Sequence, residues 1–233
     1  MGLLNWIQIL KPLTQQGWFW TPEGKLKPKN MMAATETPWI HAPVAIPGII
    51  EEGLDCGLLT IYHNQVFGGR AAHSFCMECY KVVVVIKSKD DACKMANWQR
   101  NLGVACKVGA ERRNYTQRCW GAYFYCRGVE EGRERYKMVK EWVDENLEEG
   151  TDVFLKRACT EFEQHMGDSD KWEKLPHQDE IEAEGKDIFE YTPVEPIQPM
   201  TVVHHVLDIW DQWERDNQPP VTYHEEETSE END

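Results

Sequence analysis

Hydrophobic and polar positions settle into a regular pattern only from Tyr80 onward. The run "YKVVVVI" is a continuous β-branched stretch, the mark of a strand covered on both faces. In "DDACKMANWQRNLG", Asp90 or Asp91 is placed to cap a helix, Ala92, Met95, Ala96 and Leu102 follow at helical spacing, and Gly103 closes it. "VACKVGAER" and "CWGAYFYCR" read as two strands paired as a hairpin across a polar loop around Asn114. A second helix is predicted from Glu130 to about Leu147, with Tyr136, Val139, Val143 and Leu147 on one face. "TDVFLKRACTEF" reads as a last strand, although its Cys-Thr-Glu-Phe end fits the start of a helix equally well. As a strand that end places Glu161 and Glu163 on one side.

The predicted order over residues 80–165 is β-α-β-β-α-β, the split βαβ or ferredoxin-like arrangement. Right-handed crossovers then set both helices on one face of a four-stranded antiparallel sheet. The expected fold class is therefore α+β, with a core domain over residues 56–167. Residues 1–55 read as an irregular arm, interrupted by Pro12, Pro22, Pro28, Pro38, Pro43 and Pro47. "NWIQIL" fits one short helix, and "GWFW" with Trp39 supplies aromatic surface to anchor the arm. Residues 168–200 read as an acidic, Pro-containing linker. Residues 201–215 form a predicted amphipathic helix with Val202, Val206, Ile209, Trp210 and Trp213 on one face. The end, 216–233, is too charged and too poor in apolar residues to fold alone and is expected to be a disordered acidic tail.

The chain has 233 residues, of which 41% are hydrophobic and ten are Trp, enough for a packed interior. A charged fraction of 28%, with no apolar run near the ~18 residues a membrane span needs, excludes a spanning helix. "MGLLNWIQILK" lacks a basic leader and a small-residue cleavage site, so a soluble, cytoplasmic protein is expected. Eight Cys in that setting read as reduced thiols, where clusters suggest metal before disulfide. Cys93, Cys106 and Cys159 stand alone in the sequence and read as small core hydrophobes.

Charge divides the chain more sharply than its net value of −15 suggests. Residues 1–79 sum to −1, residues 80–140 to +8 and residues 141–233 to −22. A basic middle with an acidic end points to an anionic partner for the middle, or to contact between the two.

Two constellations carry candidate chemistry. In "RAAHSFCMECY", His73-x-x-Cys76-x-x-Cys79 has the short gaps that let side chains converge on one ion, as in zinc and iron–sulfur sites. A fourth ligand is needed, and Cys56, His63, Cys119 and Cys126 are candidates. Zn, or alternatively an Fe–S cluster, is the cofactor this implies. The second constellation runs from Arg112 to Arg127. Tyr123 and Tyr125 share one side of the strand, flanked by Arg112, Arg113, Arg118 and Arg127. Arg118-Cys-Trp120-Gly121-Ala-Tyr123-Phe124-Tyr125 resembles the third-strand signature of RNA-recognition-motif domains over eight residues, with Cys119 and Ala122 where that signature has Gly and an aromatic. The resemblance implies an open sheet face that stacks single-stranded bases.

No phosphate-loop glycine pattern, nucleophile elbow or His-Glu-x-x-His helix is present, which turns the expectation away from an enzyme. The leading expectation is a non-enzymatic binding protein whose basic, aromatic surface engages an anionic partner, single-stranded nucleic acid first. The alternatives are a zinc or iron–sulfur metalloprotein centred on Cys76 and Cys79, and an assembly subunit docking a protein partner through residues 201–214.

Overall fold

The structure, a computed structural model, describes residues 4–29, 38–42, 54–113, 120–191 and 198–217. The chain opens with two short helices, α1 (Trp6–Ile9) and α2 (Lys11–Gln15), and a small hairpin, β1 (Trp18–Trp20) and β2 (Leu26–Pro28). Then come β3 (Trp39–His41), α3 (Cys56–Ile61) running into a π-helical turn over Tyr62–Val66, and α4 (Ser74–Met77). The central stretch is β4 (Cys79–Ile86), α5 (Lys89–Gln99), β5 (Cys106–Ala110), β6 (Trp120–Arg127), α6 (Gly128–Asn146) and β7 (Asp152–Arg157). The chain continues through α7 (Thr160–Met166), α8 (Gln178–Ile188) and α9 (Met200–Asn217). The fold is mixed α+β with antiparallel sheets. Among the described residues no helix is long and apolar enough to cross a membrane.

The larger sheet has the order β3-β5-β6-β4-β7, every pair antiparallel. This is one strand more than the four the pattern predicts, because Trp39–His41 pairs with Lys107–Gly109 at the sheet edge. Gly109 permits that approach: a Cβ there would strike the Pro38 carbonyl and the Trp39 ring. The smaller hairpin is tied to the end of α8 by a bridge between Leu26 and Phe189.

Details of the helices differ from the expected boundaries for local reasons. Ser88, in extended conformation, caps α5 by accepting from the Asp91 N–H, so Asp90 and Asp91 lie in the first turn, where negative charge is also favourable. Glu161 and Glu163 lie on a helix, α7, rather than a strand. The stretch read as an acidic linker holds α8, which buries Gln178, Glu182 and Gly185.

Period-two alternation divides the sheet into two unlike faces. Val82, Val84 and Ile86, Cys106, Val108 and Ala110, and Trp120, Ala122 and Phe124 point to one side. There they meet Ala92, Met95 and Ala96 of α5, Val139 and Val143 of α6, and Val203, Val206 and Trp210 of α9. Trp98 and Trp142 stack at 4.2 Å to join α5 to α6. Trp210 is fully buried, edge-on to Trp120 at 5.2 Å, and donates to the Pro38 carbonyl at 2.7 Å. The side of α9 that carries Val203, Val206 and Trp210 is therefore covered by its own chain. A second core, built from α1 to α4, α7 and α8, contains Trp6, Leu10, Leu58, Tyr62, Phe67 and Phe162 and covers the sheet's other side.

Candidate functional site

The alternation that sends Val82 and Val84 into the first core turns Cys79, Lys81 and Val83 the other way, and does the same for Lys107 on β5 and for Tyr123 and Tyr125 on β6. Cross-strand register sets Lys81 opposite Tyr125 and Lys107 opposite Tyr123. Basic and aromatic side chains thus alternate across one sheet face. That face is not open. Helices α3 and α7 lie over it and enclose a cavity of about 290 Å³, whose walls include Cys56, Cys76, Cys79, Cys159, Lys107 and Tyr125. A larger groove between α6 and β7 is shallow and lined by Glu130, Arg133 and Lys137 with apolar edges of β7, and it brings no thiol or buried charge together.

The lysines define the electrostatics of the cavity. The Lys107 ammonium lies 4.5 Å from the Trp39 ring centre, 5.5 Å from Tyr123 and 5.9 Å from Tyr125. Such faces attract a cation but carry no net charge. Lys81, only 6% exposed, donates to Cys159 Sγ at 3.5 Å and sits 5.6 Å from the Tyr123 ring. Among the described residues neither ammonium has a carboxylate within salt-bridge distance. Burial and the nearby Lys81 charge push the Lys107 pKa below its ordinary value. For Lys81 burial works against the charge, but the groups around it, Cys159 foremost, outweigh burial and hold its pKa above the ordinary value.

Arg113 and Tyr123, both assigned to ligand contact by sequence, are engaged with their own chain. Arg113 Nε donates to Glu111 at 2.6 Å, its guanidinium also pairs with Glu161, and the Tyr123 hydroxyl donates to Glu111 at 2.7 Å. Tyr123 is 4% exposed beneath Trp39, which leaves Tyr125 as the tyrosine that reaches the cavity. The expected open stacking surface is therefore closed, because a second core packs where the four-stranded prediction left solvent. Arg112 is exposed at the end of β5, and Arg127 lies over the Phe75 ring at 5.0 Å. Arg118 and Cys119 lie outside the described residues.

The metal-ligand set separates in a similar way. Cys56, Cys76 and Cys79 share the cavity wall, but His73 is not part of it. His73 caps α4, its Nδ1 accepting from the Phe75 N–H at 3.1 Å, while Nε2 lies 3.6 Å from Glu182. Cys126 points to the opposite side of the sheet. Among the described residues no three His, Cys, Asp or Glu side chains converge as they must to hold a metal ion. Burial raises the thiol pKa values, to about 11 for Cys56, to about 12 for Cys79 and well above the ordinary value for Cys76. Cys56 is exposed at the surface, yet protein packs densely around its sulfur. His63 also lines the cavity. Its Nδ1 pairs with the Ala71 carbonyl at 2.8 Å, which places the proton there, and its buried Nε2 has no partner among the described residues.

Lys81, Lys107 and Cys159 are the site residues that the motif reading passed over. The signal for the lysines was present in "YKVVVVI" and "CKVGA", where a single charge interrupts an otherwise apolar strand; such a charge is costly unless something compensates it. Comparisons with protein-family models, curated proteins and solved structures each find no match.

Proposed function

We propose that this chain is a binding protein for a small anionic ligand, held in the cavity between the sheet and its helical cover. The observation that carries this reading is the pair of lysines on one sheet face, Lys81 and Lys107, with aromatic rings around them and, among the described residues, no carboxylate within salt-bridge distance of either ammonium, Glu161 on the cavity wall being paired with Arg113. An anion entering the cavity meets Lys107 directly, and Tyr125 with Phe75 and Phe162 supplies apolar wall. A volume of about 290 Å³ is at the low end for a small-molecule site and suits one compact ligand, not a run of nucleotides. The single-stranded nucleic acid expected from the sequence is thus narrowed to a ligand the size of one anionic group and a few attached atoms. Support for the metal alternative is limited to four thiols, Cys56, Cys76, Cys79 and Cys159, lining one cavity without converging. The order β5-β6-β4-β7, with α5 and α6 packed on the same side, supports the finer reading of a ferredoxin-like core to which β3 adds an edge strand.

Thermal unfolding of the full chain at constant ionic strength, with inorganic phosphate, citrate, a nucleoside monophosphate or a short single-stranded oligonucleotide, tests the reading. At least one small anion is expected to raise the midpoint, since a ligand that binds only the folded state stabilises it by mass action. Lys107→Met is expected to abolish that shift while unfolding cooperatively. Stabilisation by the oligonucleotide alone, or a shift that survives in Lys107→Met, overturns the proposal.

A further inference from the structure

The cavity wall holds a thiol that anion binding does not require. Cys159 stands, half-buried, in the tight turn between β7 and α7. Ala158 makes the turn with a left-handed φ of 55°, and its N–H donates to the Cys79 carbonyl at 2.8 Å. Pairing of β4 with β7 therefore carries Cys159 over the sheet, beside Lys81. The Lys81 ammonium donates to its sulfur at 3.5 Å, and among the described residues no carboxylate lies within salt-bridge distance of it. A cation held against the sulfur is a mark of reactive cysteines. Cys56, Cys76 and Cys79 lack this contact. Burial raises the pKa of each, and all three line the same cavity as Cys159.

We propose that Cys159 is the nucleophilic thiol of this chain, reacting with small electrophiles and peroxides ahead of the cysteines that share its cavity, one of which then resolves its oxidised form as a disulfide. In alkylation by iodoacetamide the sulfur forms a bond to carbon and iodide leaves. With hydrogen peroxide the thiolate attacks one oxygen, the O–O bond breaks and hydroxide departs, leaving a sulfenic acid. A second thiol among Cys56, Cys76 and Cys79 attacks that sulfur, forms the S–S bond and releases water.

Exposure alone ranks Cys56 first, because it is the exposed cysteine among those described, so competition between the two sites is decisive. Substoichiometric iodoacetamide on the folded full chain, followed by peptide mass mapping, is expected to label Cys159 about tenfold faster than Cys56. Lys81→Met is expected to slow Cys159 about tenfold without changing Cys56, and Lys81→Arg, which keeps the positive charge, to retain most of the rate. Should Lys81→Met unfold, the wild-type competition still decides. Labelling of Cys56 ahead of Cys159, or a Cys159 rate that is the same in a folded Lys81→Met, overturns the proposal. With about one equivalent of peroxide, a disulfide peptide containing Cys159 is expected; a disulfide that omits Cys159, or a Cys159 sulfinate with the other thiols free, overturns the resolving step.

Discussion

His41, on the edge strand β3, shows how the cavity's charge reaches neighbouring residues. Burial and the Lys107 ammonium together depress its pKa from 6.5 to about 4. The folded chain thus keeps His41 neutral through a range in which the unfolded chain binds a proton. By linkage its contribution to stability is complete above about 6.5, declines as pH falls, and is gone once pH reaches about 4. Allowing for partial exposure, the loss is on the order of 2 kcal/mol. Urea midpoints between pH 7.5 and pH 4.5 are expected to fall in wild type and to flatten over the upper part of that range in His41→Gln. Glu111 and Glu163 lose their contributions in the same direction but at lower pH. Burial raises the pKa of each, hydrogen bonds outweigh it, from Arg113 and Tyr123 for Glu111 and from Lys156 and Ser169 for Glu163, and both end below 4.5. The site was legible at this scale only in part. Cys76 and Cys79 announce themselves by spacing, whereas Cys159 is distant from them in sequence and joins them through strand pairing that no local motif encodes.

Among the elements, α8 is the one whose hydrophobic pattern says least about its position. It presents Ile181 and Ile188 to the second core, but its deepest contacts are polar. Gln178 Nε2 donates to the Ala72 carbonyl at 3.0 Å, and Glu182 accepts from the Ser74 N–H at 2.8 Å. Burial secured by hydrogen bonds leaves no apolar period, so the stretch reads as a solvated linker. By contrast β4, α5, β6 and α6 were legible because each carries its own period of two or 3.6, and α9 because Val202, Val206, Ile209, Trp210 and Trp213 recur at helical spacing, although the buried valine beside Val206 is Val203 and not Val202. Gly185 gives α8 a direct test. Replacing a mid-helix Gly with Ala ordinarily gains roughly 1 kcal/mol. Here the added Cβ meets the hydroxyl and ring of Tyr62, which is 1% exposed and packed against Phe67, His73 and Phe189. Gly185→Ala is therefore expected to destabilise by about 1 to 3 kcal/mol in urea unfolding, the range of an overpacked core. Removing the hydroxyl with Tyr62→Phe is expected to recover part of that loss in the double variant; a stabilised Gly185→Ala would show that α8 does not press on Tyr62.

Over the whole molecule, the anion proposed to bind at Lys107 must approach a chain of net charge −15, and the long-range field opposes the local attraction. Residues 218–233 contribute six acidic side chains and no Lys or Arg, and they lie outside the described residues. Deleting them is expected to tighten binding of the stabilising anion by about two- to fivefold at low ionic strength, with the gain vanishing as salt screens beyond about 8 Å. Calorimetric titration of the two chains across a salt series measures this, and equal affinities at low salt exclude the tail as a competitor. The long-range contacts also bear on synthesis. Trp6 Nε1 donates to Glu184 at 3.1 Å and its ring meets Phe189 at 6.3 Å, while β3 is secured by Gln198 and Trp210. Segments made earlier along this stretch are thus covered by segments made later. When residues 79–157 have emerged the central strands can pair, yet Trp6 and Ile40 still wait for α8 and α9. Until α8 and α9 have been made, Trp6 and Ile40 stay uncovered, and apolar surface left bare on a partly made chain is where aggregation starts.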